Sequence, residues 1–208
     1  MEMNIAVIPG DGIGPEITTA AIIVLEAIAE KYGHVLNLQY VKACSQSVEE
    51  SGEPLPKEAL ETCLQADAVL LGNTGLEKYK NLPLSKRPEY ALLKLRKELK
   101  VTTNIRPVHV YPELKLLSPL NQNALSKGLD YLFVRDIAGG VLCSDQVKGE
   151  GENGPEAYEY EYYNQKIVEE TAGFAFELAK ARKGKVVSLD KANVLGSSRL
   201  WRKTVTEI

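Results

Sequence analysis

A short apolar run that ends in a glycine-rich turn constrains this chain more than any other feature. Asn4-Ile5-Ala6-Val7-Ile8 carries no polar side chain after Asn4. A strand wetted on one face alternates apolar and polar residues, whereas one covered on both faces does not. Pro9-Gly10 ends the run. Pro15 then stands near a helix start, where its missing N–H costs nothing. Ile17, Ala21, Val24, Leu25 and Ile28 recur at helical spacing, which predicts that they face inward, and Gly33 reads as the stop. Leu36, Leu38 and Tyr40 alternate like a second strand. Residues 56–64 read as a helix and Ala68-Val69-Leu70-Leu71 as another buried strand. Residues 88–100 read as a helix carrying Leu92, Leu93, Leu95 and Leu99. Strand, helix, strand, helix predicts a parallel sheet with helices on its faces.

The pattern continues more loosely. Residues 101–105 and 131–134 read as strands, 165–182 as a helix burying Ile167, Val168, Phe174 and Leu178, and Val186-Val187-Ser188-Leu189 as a strand. Residues 149–157 form a polar, glycine-rich loop. It leads into Tyr158-Glu159-Tyr160-Glu161-Tyr162-Tyr163, whose period-two alternation predicts a half-buried strand. Such a strand either pairs with a partner chain or forms a local hairpin edge. Near the end, Ser197 or Ser198 can cap a helix whose apolar residues are Trp201, Val205 and Ile208. That helix begins to present an apolar face just as the chain stops. It reads as a truncated chain or as a short terminal helix that frays.

Composition narrows the function classes. The 208 residues hold 25 basic and 28 acidic side chains, a net charge of -3. There is no electrostatic case for nucleic acid, which favours a basic face. No apolar stretch approaches the ~20 residues that span a bilayer, and no basic start precedes an apolar run as in a secretory signal. Cys44, Cys63 and Cys143 are scattered, which suits a reducing, cytoplasmic setting.

Three groups of residues invite chemistry. Pro9-Gly10-Asp11-Gly12-Ile13-Gly14-Pro15-Glu16 places three glycines between a strand and a helix. The spacing is G-x-G-x-G rather than G-x-G-x-x-G, so the common dinucleotide motif is not matched. A tight structural turn and a cofactor loop of another kind remain open. Arg106 and Arg135 read as ending two strands, and Arg96 lies late in a helix. A guanidinium fork suits a carboxylate, because it donates two parallel hydrogen bonds. Two such arginines on neighbouring strands would clamp a dicarboxylic acid; each alone is also compatible with a surface charge. Ser188-Leu189-Asp190-Lys191-Ala192-Asn193 places a lysine at a strand end, either as a proton-transfer group or simply as a polar terminus.

Taken together, these segments resemble the metal-dependent decarboxylating dehydrogenases of isopropylmalate, isocitrate, homoisocitrate and tartrate. The resemblance rests on the Pro9–Glu16 start, Arg87-Pro-Glu-Tyr-Ala-Leu-Leu-Lys-Leu-Arg96, Asn104-Ile-Arg-Pro107, Leu117-Ser-Pro-Leu120, Val134-Arg-Asp-Ile-Ala-Gly-Gly140, Asp190-Lys-Ala-Asn-Val194 and Trp201-Arg-Lys-Thr204. It implies a two-domain α/β fold of the isopropylmalate-dehydrogenase kind with a parallel or mixed sheet, its C-terminal part missing here. The first domain, on the cofactor side, would span 1–101. The second would span 102–208, with a dimerisation arm at about 149–165. The Arg87–Arg96 segment is most similar to the isopropylmalate member, with Glu89 near the nicotinamide and Leu92 against an alkyl group.

The resemblance further implies oxidation of a 2-hydroxy diacid by NAD with Mg²⁺ or Mn²⁺, followed by loss of CO₂. Arg96, Arg106 and Arg135 would hold the carboxylates. Lys191 would assist proton removal and, with Asn193, line the site of a partner subunit in a homodimer. Gly12, Ile13, Asn73, Thr74, Gly75 and Glu89 would lie near the cofactor. The family's metal-binding aspartates and adenine loop fall beyond residue 208, so no metal ligand is expected within this chain and no dehydrogenase turnover is expected from it alone. A non-catalytic paralogue, or another decarboxylating dehydrogenase, is the rival expectation.

One departure bears on rate. Where the family carries a proton-donating tyrosine two residues after the Gly-Gly pair, this chain has Leu142. General acid catalysis contributes about 10²–10⁴-fold. Leu142→Tyr in a complete version of the protein is therefore expected to raise turnover within that range. An unchanged rate would remove this explanation.

Overall fold

The computed structural model describes all residues except Lys127, Asp145 and Gln146, and also leaves the Leu142 side chain undescribed. The Leu142 expectation therefore lies outside the described side chains. The chain divides into two compact units, Met1–Lys100 and Val101–Ile208. No described helix is long and apolar enough to cross a membrane.

The first unit is built on strand β1 (Glu2–Gly10), helix α1 (Gly14–Tyr32) and strand β2 (Val35–Tyr40). Helices α2 (Cys44–Ser51) and α3 (Lys57–Gln65), strand β3 (Ala68–Asn73) and helix α4 (Tyr90–Glu98) follow. The strands form a parallel sheet in the order β2-β1-β3. β1 is covered on both faces, as its unbroken apolar run requires. Ile5 and Val7 pack with Ile22 of α1. Ala6 and Ile8 pack with Cys44, Ala59, Cys63, Ala91 and Leu95 of the other three helices.

Two details differ from expectation. α1 turns Gly14, Thr18, Ile22 and Ala29 inward, leaving Ile17, Val24 and Ile28 exposed. The helix is apolar nearly all round, so periodicity alone does not select a face. The small residues win because they let the helix lie close to the sheet. A Cβ on Gly72 of β3 would strike the Pro9 carbonyl oxygen and come within 2.6 Å of Thr18 Oγ1. Helix α2 was not foreseen, although Gly52, its left-handed C-cap at φ 73°, was a readable stop.

The second unit opens with strands β4 (Thr103–Val110) and β5 (Leu129–Asp136), which pair antiparallel. A second antiparallel pair, β6 (Val147–Gly151) and β7 (Gly154–Tyr158), forms a hairpin. Helices α5 (Gln165–Lys180) and α6 (Gly196–Glu207) complete the unit. Asn164 caps α5 by accepting the Ile167 N–H at 3.0 Å. The glycine-rich stretch is thus itself the hairpin, and the strand stops at Tyr158 rather than running through the tyrosines. The inward stripe of α5 is Val168, Thr171 and Ala172; Phe174 is exposed.

Residues 186–189 form no strand. They and β5 line a common crevice of about 1020 Å³, and among the described residues no ladder pairs them with another strand. Helix α6 starts two residues earlier than either serine allows, at Gly196 with Leu195 in the N-cap place. Ser197 instead donates to Glu161 at 2.6 Å.

The close approach of α1 to β3 makes Gly72 a sharp test. Gly72→Ala is expected to cost about 2–3 kcal/mol, because its methyl meets backbone that cannot move aside. Urea unfolding of the two proteins measures this. A loss under about 0.5 kcal/mol, the range of ordinary surface changes, would show that the approach is loose.

Candidate functional site

In an open parallel sheet, ligands settle beyond the carboxyl ends of the strands, where the chain order reverses direction across the sheet. In the first unit that point lies between β1 and β3, since β1 is followed on one side by β2 and on the other by β3. The glycine turn and the Asn73-Thr74-Gly75 loop meet there. The Asp11 N–H donates to the Asn73 carbonyl at 2.7 Å, and the Gly14 N–H to the Asp11 carbonyl at 2.8 Å. Gly10, at φ 78°, has no room for a Cβ because the Asn73 carbonyl oxygen occupies its place. Gly12 has open space around it, with only Leu76 at 3.7 Å. Ile13 beside it is 57% exposed. Glu89 reaches this loop too: a Cβ on Gly75 would strike its carboxylate. Five of the residues named for the cofactor, with Glu89 as the sixth, therefore fall in one place within the unit.

Sequence reasoning passed over the residue at the centre of that place. Asp11 is 2% exposed. Its Oδ1 accepts the Ser45 N–H at 2.8 Å, and its Oδ2 accepts the Gly75 N–H at 2.7 Å. The readable signal was an acid flanked by glycines directly after a buried strand. Burial, then the Asp11 and Glu89 carboxylates, push the neighbouring Cys44 thiol up to about 12, so it stays protonated.

On α4, Glu89, Leu92 and Arg96 are spaced i, i+3, i+7 and share one face. The opposite face, Ala91 and Leu95, is buried in the core. Leu92 and Arg96 are half-buried and Glu89 is exposed.

In the second unit the expected geometry of the arginines needs correction. Arg106 does not end its strand; it sits in the middle of β4. β4 and β5 run antiparallel, so they have no common carboxyl end. The register nevertheless pairs Asn104 with Arg135 and Arg106 with Phe133, which makes Arg106 and Arg135 diagonal neighbours on one face of the ribbon. That face is turned away from α5, since Thr103 and Asp136 on the other face hydrogen-bond Thr171 of that helix. Arg106 donates its Nε–H to Asn104 at 2.9 Å. Arg106, Arg135, Phe133 and Leu189 line a depression of about 360 Å³.

Lys191 follows Leu189 closely and is exposed, as is Asn193. Among the described residues the Lys191 ammonium has no hydrogen-bond or ion-pair partner. Its backbone is held in a turn, with the Val194 and Leu195 N–H groups donating to its carbonyl at 3.0 Å. α6 braces the approach: Trp201 donates to Ser188 at 3.0 Å, and Arg202 makes a two-point pair with Asp190 at 2.9 and 2.7 Å. Asp190 is therefore the partner of Arg202. Tyr163, the phenol nearest Gly139 and Gly140, lies under their backbones and stacks edge-on to Trp201 at 5.5 Å. Burial, then the Asp136 carboxylate, push it up to about 12. With Ile167 of α5 it packs against Gly139.

Among the described residues, no group of three or more His, Cys, Asp or Glu side chains could hold a metal ion. A divalent metal finds no such donor set among them.

The sequence pattern described as isocitrate/isopropylmalate dehydrogenase matches residues 4–208. The chain is 46% identical over 207 residues to a 3-isopropylmalate dehydrogenase of Clostridium pasteurianum, covering 100% of this chain and 58% of that protein. It is 44% identical to the 3-isopropylmalate dehydrogenase of Thermotoga maritima, over 99% of this chain and 58% of that protein. The chain thus spans little more than half the length of these relatives. Among solved structures, the apo β-decarboxylating dehydrogenase of Thermococcus kodakarensis superposes with a TM-score of 0.72 at 29% identity, covering 99% of this chain and 54% of that one.

The Asp190–Arg202 pair gives a pH test. Arg202, and then the Ala192 N–H, hold the Asp190 carboxyl below its ordinary 3.8. A depressed folded value stabilises the folded chain above the unfolded value, and the contribution fades as pH falls from 3.8 through the folded value. Asp190→Asn should therefore lower the denaturation midpoint at neutral pH and lose that deficit in strong acid. A deficit independent of pH would contradict this.

Proposed function

We propose a function from one premise: the chain belongs to the isocitrate/isopropylmalate dehydrogenase family. It forms part of a cytoplasmic enzyme of leucine biosynthesis that oxidatively decarboxylates 3-isopropylmalate to 2-oxoisocaproate with NAD. The observation that carries the reading is the diagonal pair Arg106–Arg135 in a depression walled by Phe133 and Leu189. Two guanidinium forks suit two carboxylates, and an apolar wall suits an alkyl substituent.

Each residue then has a role. Arg106 and Arg135 bind the malate carboxylates, and Arg96 is assigned the same role on family grounds. Leu92 meets the alkyl group. Lys191 takes the hydroxyl proton as the hydride leaves, and Asn193 orients the ligand. NAD⁺, when bound, supplies the hydride acceptor. The open surface at Gly12 and exposed Ile13 suits a flat nicotinamide ring, with Asn73, Thr74, Gly75 and Glu89 around it. The family implies Mg²⁺ or Mn²⁺, which this chain's described residues do not hold. A homodimer fits an exposed Lys191 and Asn193 serving a partner's site, with the β6–β7 hairpin as the interlocking arm. Leu142 favours a second reading, a chain that binds ligand but does not turn over.

Calorimetric titration with 3-isopropylmalate tests the arginine pair. Arg106→Ala and Arg135→Ala should each weaken binding by about 10–100-fold, the worth of a charge-assisted hydrogen bond. Arg135→Lys should recover only part, because an ammonium lacks the planar fork. Equal affinity in both alanine variants would refute the assignment.

A further inference from the structure

We propose that Asp11 is a positioning residue of the nicotinamide edge, holding two loops in backbone conformations they would not keep alone. The role rests on the reading that Gly12, Ile13, Asn73–Gly75 and Glu89 meet the cofactor. Nothing in that reading assigns Asp11 a part.

A buried carboxylate must have its lone pairs met by donors, or its burial is costly. Asp11 meets this need with two backbone N–H groups that are far apart in sequence. Ser45 lies 34 residues away, and Gly75 lies 64 residues away. Bonds from amide to ionised carboxylate are stronger than neutral ones. One side chain thus joins the ends of β1 and β3 to the first turn of α2.

Both donors stand at unusual backbone. Gly75 has φ +100°. Ser45 follows Cys44, which has φ +61° although it is not glycine. A left-handed residue with a Cβ is strained and persists only where its surroundings hold it. Here the Cys44 N–H donates to the Pro54 carbonyl at 2.8 Å, while the next N–H turns to Asp11. The left-handed turn is what sends these successive N–H groups to different acceptors. Gly75 in turn abuts the Glu89 carboxylate. Asp11 therefore sets the position of Gly75, and Gly75 limits where Glu89 can sit.

The carboxylate, rather than mere polarity, is required. Asparagine has the same shape but offers one oxygen and an NH₂ group that would face an N–H. Loss of one anchor frees one loop.

The test uses Asp11→Asn in the whole chain, with Ala59→Gly in α3 as a control that loosens the same unit without touching the loops. Amide hydrogen exchange reads the positioning without ligand. Ser45 and Gly75 should exchange slowly in the parent, and at least one of them about tenfold or more faster in Asp11→Asn, as loss of a hydrogen bond to a charged group allows. The control should leave both slow. NAD⁺ titration followed by the amide signals of Gly12, Thr74 and Gly75 reads the consequence: binding about tenfold or more weaker in Asp11→Asn and near parental in the control.

Unchanged exchange at both amides, or parental NAD⁺ affinity in Asp11→Asn, overturns the role of Asp11 and leaves the proposed function standing. An equal loss of affinity in the control overturns it also, by showing that stability alone accounts for the effect. No NAD⁺ response in the parent overturns the cofactor reading of this edge, and the positioning role with it. Should Asp11→Asn not fold, exchange in the parent alone keeps the test: both the Ser45 and Gly75 amides, held by the Asp11 carboxylate, should be protected, and exchange of either at the rate of a free loop amide refutes the proposal.

Discussion

Four consecutive side chains, Ile5 to Ile8, carry the first unit. β1 pairs in parallel with β2 on one side and β3 on the other, so both its edges are bonded. Alternate residues enter two separate apolar clusters, one with α1 and one with α2, α3 and α4. Burying each large aliphatic side chain contributes about 1.5–3 kcal/mol. A slip of one residue would exchange the two sets and spoil both clusters at once. The strand has one register, and everything at its carboxyl end inherits that precision.

What it delivers there is backbone rather than side chains. Gly10 and Gly72 are glycines because neighbouring carbonyl groups occupy the space a methyl would need. The loops at this edge are thus part of the packing, and a buried carboxylate ties them together. Gly12, with open space around it, is the exception, and it is the one that faces outward. The second unit works differently. There an antiparallel register sets two arginines diagonally on one face of a ribbon, and a helix braces the segment that ends in Lys191 through Trp201 and Arg202.

Much of this was legible beforehand. The buried strands β1 and β3, the helix stop at Gly33, and the helices near 57–65 and 90–98 follow from runs, caps and breakers. The glycine turn, the arginines and the Asp190-Lys191 segment stood out as candidates for chemistry from residue type and order. Other features resisted. Val186 to Leu189 has the composition of a strand but, among the described residues, pairs with no other strand. The tyrosine alternation suggested a strand, yet the hairpin is made by the glycine-rich residues before it.

Sequence alone determined the alternation of elements, their approximate bounds, the family likeness and the kinds of side chain available for chemistry. Those depend on local rules: periodicity, capping and the special backbone of glycine and proline. The tertiary structure decided which face of α1 turns inward, because a helix apolar all round has a period but no phase. It decided that Arg106 and Arg135 are neighbours, because register is a relation between strands. It alone revealed Asp11 as a hub, because its two hydrogen-bond donors are separated from it by dozens of residues and are brought close only by the sheet.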